Sequence, residues 1–340
     1  GERDGDEQQD GEPEDSSEVG HGADAPSRNG SGEETPRTFN AGGTAAVPTD
    51  ARIRCAPLIE ELPVNRTRTL LVAGGLVAAL TVPAVATSAD ASRKPAVRQA
   101  VGLVDGTKLV SFSVTRPGKV TKLGAVSGLV GDTKVIGIDY RVQDRKLYAV
   151  GDQGGVYTVA SKARATKVSQ LTVALSGTSF DIDFNPVADR LRVVSDTGQN
   201  LRHDVNPGGA TIVDGTLTYP ATPTTPATTS TGVTAAAYTN NDLRADTATT
   251  LYDIDTALDQ VVTQVPANAG TLSATGKLNV DAGSDAGFDI IESRSNGFAT
   301  LQVNGTYRLY LVQLVSGKAA NVGSFPRSAQ VSDIAVPIRG

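Results

Sequence analysis

The chain has 340 residues, a formal net charge of −6, one cysteine, two histidines, no methionine and no tryptophan. The charge is unevenly placed: residues 1–63 hold 15 acidic and 5 basic residues, whereas residues 87–340 hold 22 acidic and 24 basic. That near-neutral part has no basic run and no aromatic–basic interleaving, which argues against nucleic acid as a partner. Its lack of cysteine and its single histidine, His203, exclude disulfides, thiolate chemistry and a histidine-built zinc site within one chain.

Residues 1–63 are rich in Asp, Glu, Gly, Ser and Pro and lack apolar periodicity, so they read as a disordered acidic leader. Arg66 and Arg68 then precede an apolar run over 70–86 that contains Gly74, Gly75 and Pro83 and closes on Ala84-Val85-Ala86. A basic start, an apolar middle and a small-residue cleavage site over 64–86 make a secretory signal peptide. The run is interrupted and shorter than the roughly 20 residues a spanning helix wants. The expectation is a secreted protein, the alternative a membrane anchor at 70–86, and the membrane is met only if that leader is not cleaved. A signal peptide this far from Gly1 also raises Val64, read from a GTG codon, as the true start. Glu60-Glu61 just upstream could be written as a purine-rich ribosome-binding sequence. Residues 87–96 form a linker, and 97–338 the folded domain.

Within that domain, 180–205 reads as strand, Asn185-Pro186 turn, strand, Asp196-Thr197-Gly198 turn, strand. The unit recurs. Short apolar first strands align at 135–141, 180–185, 233–240, 288–293 and 331–337, and second strands start at Lys146, Arg190 and Thr250. Starts spaced by about 43 to 55 residues suit four-stranded propeller blades. A β-sandwich would leave the recurrence unexplained. The last copy has only a first strand, while 101–126 supplies later strands without a first. The fold class is therefore all-β, a β-propeller of about five blades, with six as the alternative. N- and C-terminal strands share one blade, which removes a free sheet edge. A Pro/Thr-rich insert at 219–232 is expected to be an exposed loop.

The run FNPVADRLRVVSDTGQNLR, followed by AAAYTN and the late GTL, FDI and LYLVQL segments, resembles the exported bacterial family called domain-of-unknown-function 4394 over roughly 97–338. The resemblance implies a propeller-like fold and export. It carries over no catalytic residue, because the family has no assigned activity.

The chemistry-bearing candidates lie on the first strands. Asp181, Asp289 and Asp333 fall at equivalent places in the alignment, and Asp139 and Asp183 lie two residues further on, on the same strand face. First strands line a propeller's channel, where converging carboxylates repel unless a cation or arginine offsets them. Three readings follow. The acids could accept backbone N–H groups and lock blades together. They could bind a ligand or a hard cation such as Ca²⁺, with Asp181, Asp289 and Asp333 as metal candidates and Asn185 and Asn240 adding amide oxygens. A pair could act as acid and base in a hydrolase. Arg190, Arg192 and Arg202 are expected to pair with these acids. His203 reads as an ordinary surface or turn residue, Gly151–Gly155 as a hairpin turn, and Asp253 and Asp255 as a solvated strand face, with Ca²⁺ binding as the alternative. No GxSxG nucleophile motif is present. The leading function is a non-catalytic platform for a small molecule or extracellular protein, and the alternative is a channel-carboxylate hydrolase.

Overall fold

A computed structural model of the protein describes residues 98–244, 246–291 and 295–338. The leader, signal peptide and linker expected before them lie outside the described residues.

Five four-stranded antiparallel sheets make the domain. Blade I joins β1 (Gln99–Val104), β2 (Lys108–Ser113) and β3 (Arg116–Ala125) to the last strand, β22 (Val331–Ala335). Blade II is β4 (Val135–Tyr140), β5 (Leu147–Gly151), β6 (Gly155–Ala160) and β7 (Arg164–Gln170). Blade III is β8 (Phe180–Asn185), β9 (Arg190–Ser195), β10 (Asn200–His203) and β11 (Thr211–Val213). A two-stranded piece, β12 (Thr218–Tyr219) with β13 (Thr228–Thr229), precedes blade IV. Blade IV is β14 (Val233–Tyr238), β15 (Leu251–Asp255), β16 (Gln260–Gln264) and β17 (Leu272–Lys277). Blade V is β18 (Ala286–Asp289), β19 (Asn296–Val303), β20 (Thr306–Gln313) and β21 (Ala319–Ser324).

The inner strands close the ring: β22 touches β4, β4 touches β8, β8 touches β14, β14 touches β18, and β18 touches β22. Strands buried on both faces read as continuous apolar runs, which is why β14, VTAAAY, is buried throughout. The core is divided into five clusters, one per junction. Leu103, Leu109 and Ile138 fill the first, between blades I and II. Phe112, Leu309 and Val331 fill the last, between V and I. Blade I closes tightly: a Cβ on Gly102 of β1 would lie 2.5 Å from Val331 Cγ1 of β22.

The Pro/Thr insert is exposed at 220–229, as expected of a loop, but it is anchored at its ends. Its ends pair as β12 and β13, and Tyr219 donates a 2.6 Å hydrogen bond to Asp255 Oδ2, which Ser230 also serves at 2.9 Å. The buried Asp255 carboxylate needs donors, and the insert supplies them.

Closure through β22 predicts a measurable dependence. Truncation after residue 330 removes Val331, Ile334 and Val336 from the V–I cluster. At about 2–5 kcal/mol for each large aliphatic, the loss rivals a domain's whole stability of about 5–15 kcal/mol. The truncated chain should show no cooperative chemical denaturation. An unchanged midpoint would contradict the shared blade.

Candidate functional site: two rings of channel carboxylates

The inner strand of each blade has a partner on one side only. Its other edge faces the axis and carries N–H groups that no strand pairs, and burying such groups without acceptors costs free energy. Aspartates fill this need in two rings. In the front ring, nearer the strand starts, Asp181 Oδ1 accepts from Ile182 N (2.8 Å), and Asp181 Oδ2 from Ala236 N (2.9 Å) and Phe288 N (3.2 Å). Asp333 Oδ2 accepts from Ile138 N (2.7 Å) and Asp333 Oδ1 from Ile334 N (2.6 Å). Two carboxylates thus serve one amide from each of the five blades. Small residues leave them room. A Cβ on Gly287, the residue before Phe288, would lie 2.4 Å from Asp333 Oδ1.

The rear ring lies two residues further along. Asp139 Oδ2 accepts from Phe184 N (2.8 Å), Asp183 Oδ1 from Tyr238 N (3.1 Å) and Asp289 Oδ2 from Val336 N (2.5 Å). The amides of Tyr140 and Ile290 also act on Asp139 and Asp289 and favour their ionised forms. Each of the three acids offers an oxygen within 4.8 Å of the other two. The expected metal set Asp181, Asp289 and Asp333 is therefore divided. Asp289 sits with Asp139 and Asp183, because β18 starts at Ala286 and puts Gly287, not Asp289, level with Asp181.

Burial dominates the electrostatics. It raises all five carboxyls, with Asp289 pushed up to about 7 and Asp333 to about 8. Neighbouring carboxylates add to the rise, Asp289 on Asp139 and Asp333 on Asp181. Backbone N–H groups oppose it throughout, and Arg98 opposes it at Asp289.

The other candidates lie away from the axis. Arg190 pairs with Asp204 (3.1 Å), while Arg192 (2.6 Å) and Arg202 (2.7 Å) pair with Asp214. The expected pairing with axial acids is corrected, since these side chains leave β9 and β10 toward loops. Arg192 is nonetheless buried, and it joins blade III to blade IV through Tyr238 and Asn268. Asn185 caps its turn by accepting from Val187 N and Ala188 N, and Asn240 donates to Ala248 O. His203 is fully buried rather than superficial, held between Ser169 Oγ (2.8 Å) and Thr211 Oγ1 (3.0 Å), and burial pushes its pKa down. Asp253 and Asp255 are buried, not solvated.

A cavity of about 440 Å³ opens at the front mouth, with Asp333 reaching its floor and Asp105, Lys134, Ser179, Asp285 and Gln330 on its walls. Tyr307, also on the wall, donates to Asp285 through its hydroxyl and to Gln330 Oε1 through its amide (2.9 Å). Sequence reading missed these residues, because they come from four blades, far apart along the chain, and none forms a motif.

The chain matches the model of the family described as Domain of unknown function (DUF4394) over residues 108–335 and belongs to that family. No curated protein matches it. Among solved structures it is similar to a chain of a nidogen/laminin complex, at 11% identity and a TM-score of 0.42, covering 71% of this chain and 98% of that one. It is also similar to a structural genomics protein of unknown function from Bacteroides thetaiotaomicron VPI-5482, at 10% identity and a TM-score of 0.41. There the match covers 65% of this chain and 55% of the other, little more than half its length.

Two outcomes follow for the rings. Asp181→Ala strands the amides of Ile182, Ala236 and Phe288. At about 1–3 kcal/mol per buried unsatisfied group, chemical denaturation should show a loss of about 3 kcal/mol or more, with Asp181→Asn losing less because it keeps an acceptor oxygen. An Ala variant as stable as the parent would contradict the assignment. The second outcome concerns pH. A carboxyl whose folded pKa is raised stabilises fully below its unfolded value, near 3.9, and that contribution is lost as pH rises through the folded value. His203 acts in the opposite sense, but below its ordinary value of about 6.5. In metal-free buffer, stability should therefore fall between about pH 6.5 and pH 9, through the value of about 8 for Asp333. Asp333→Asn should flatten that fall, and a rise over the interval would contradict it.

Proposed function

We propose that this DUF4394 chain is exported and that its propeller is a non-catalytic platform, which binds a small polar molecule at the front mouth. The observation that carries the reading is the commitment of the front-ring acids. Both oxygens of Asp181 and both of Asp333 already accept backbone N–H groups. Above them lies an open polar cavity of about 440 Å³ with Asp105, Lys134, Ser179, Asp285 and Gln330 on its walls. That volume falls within the roughly 300–1,000 Å³ of small-molecule sites. Lys134 beside Asp105 and Asp285 offers both charge signs within one cavity, which suits a ligand that carries donors and acceptors together. Export rests on the signal-like segment 64–86.

The hydrolase alternative needs an open carboxylate pair about 5 to 9.5 Å apart. The rear acids are buried and crowd one oxygen each within 4.8 Å of the others, with no opening beside them for a substrate among the described residues. The front pair is saturated with hydrogen bonds. Neither ring leaves a free acid beside a substrate-sized opening. The scarcity of aromatic residues, at 4% with no tryptophan, also disfavours a sugar-stacking surface.

The protein should leave chromogenic esters and glycosides at the buffer rate. Turnover that is lost in Asp139→Asn or Asp333→Asn would overturn the non-catalytic reading. In a screen of small polar fragments by amide chemical-shift mapping, responses should cluster at Lys134, Ser179 and Tyr307. Fragments that bind only elsewhere would remove the front mouth as the site.

A further inference from the structure

The two rings meet the same demand with different numbers of acids. Five blades present one channel-facing amide each per ring, and the front ring serves its five with Asp181 and Asp333, leaving no oxygen of either without a partner. The rear ring has three acids. Its hydrogen bonds use Asp139 Oδ2, Asp183 Oδ1 and Asp289 Oδ2. Asp183 Oδ2 and Asp289 Oδ1 accept nothing among the described residues, although Asp183 and Asp289 are only 1% and 2% exposed. A buried carboxylate oxygen without a donor is expensive. The front ring shows that a third acid is not needed to satisfy the amides.

We propose that Asp139, Asp183 and Asp289 hold a Ca²⁺ ion on the propeller axis at the rear ring. A cation supplies the partner that the two bare oxygens lack and offsets the mutual repulsion of the three carboxylates. Ca²⁺ prefers oxygen ligands at about 2.3–2.6 Å and tolerates irregular shells. Oxygens bound to one such ion stand up to about 5 Å apart, and each of the three acids has an oxygen within 4.8 Å of one on each of the others. Mg²⁺ needs a near-ideal octahedron at shorter distances, which a wall of five fixed strands does not adjust to provide. Histidine and cysteine are absent from the cluster, so softer metals find no preferred ligand. The three acids are buried, so the ion is taken up as the ring closes and belongs to the folded state. This proposal does not depend on what binds at the front mouth.

The test is metal content after refolding. The full chain is unfolded in denaturant with EDTA, then refolded in buffer with about 1 mM Ca²⁺ or with EDTA, and desalted. Atomic emission should find about one Ca²⁺ per chain, and the Ca²⁺-refolded protein should melt at a higher temperature. Asp183→Asn and Asp289→Asn each keep an acceptor oxygen for the backbone while removing charge, and both should lower Ca²⁺ affinity by about tenfold or more. Asp181→Asn, in the front ring, should keep the ion. Parent protein that regains native circular dichroism yet retains no Ca²⁺ would overturn the proposal, whether or not the variants fold. So would Ca²⁺ retained equally by the parent, Asp183→Asn and Asp289→Asn, which would place the ion elsewhere, such as on the acidic residues of 1–63.

Discussion

Five sheet edges meet at one axis, away from water, and each brings N–H groups that no neighbouring strand can pair. An unsatisfied buried amide costs about 1–3 kcal/mol, so ten such groups left bare would exceed the typical stability of a domain. Carboxylates remove that penalty economically, since one oxygen can accept twice, as Asp181 Oδ2 does from Ala236 and Phe288. Their own desolvation opposes them and raises all five pKa values. The acids tie the ring together because each satisfies backbone from a blade other than its own.

The blades are not equivalent, and the differences are complementary. Blade IV carries no axial acid, and its alanines at 235–237 let Asp181 of blade III reach past it to Phe288 of blade V. Gly287 of blade V makes space for the Asp333 carboxylate. The III–IV junction, already bridged by Asp181 and Asp183, is strengthened further out. There Arg192 binds Asp214, Asn200, Tyr238 and Asn268 in the interior. The charge of Arg192 is matched by Asp214 at 2.6 Å. A buried pair is tolerated when its remaining hydrogen bonds are also made.

Much of the architecture was legible from recurrence alone. The first strands at 135, 180, 233 and 331 appear where the pattern places them, and the terminal strands share blade I. Register was less legible. The alignment set Asp289 beside Asp181 because both follow a phenylalanine, but β18 is short and begins at Ala286, which shifts Asp289 to the rear ring. The partners of Arg190 and Arg192 were illegible because Asp204 and Asp214 lie in connecting segments, and only the three-dimensional path brings them near. His203 read as a surface residue because no local pattern announces Ser169, 34 residues away and in another blade. The front-mouth cavity assembles short pieces that lie far apart in sequence, a kind of site that leaves no signature along the chain.

The most direct measurement is native-state hydrogen exchange at the channel amides. If aspartates bind them in a closed, dry ring, then Ile138, Ala236 and Phe288 in front, and Phe184, Tyr238 and Val336 behind, exchange only through global unfolding. Their exchange free energies then equal that of the slowest core strands. Fast exchange at these six amides, with the blades' ladder amides still protected, would mean that water reaches the axis. The acids would then not be what joins the blades.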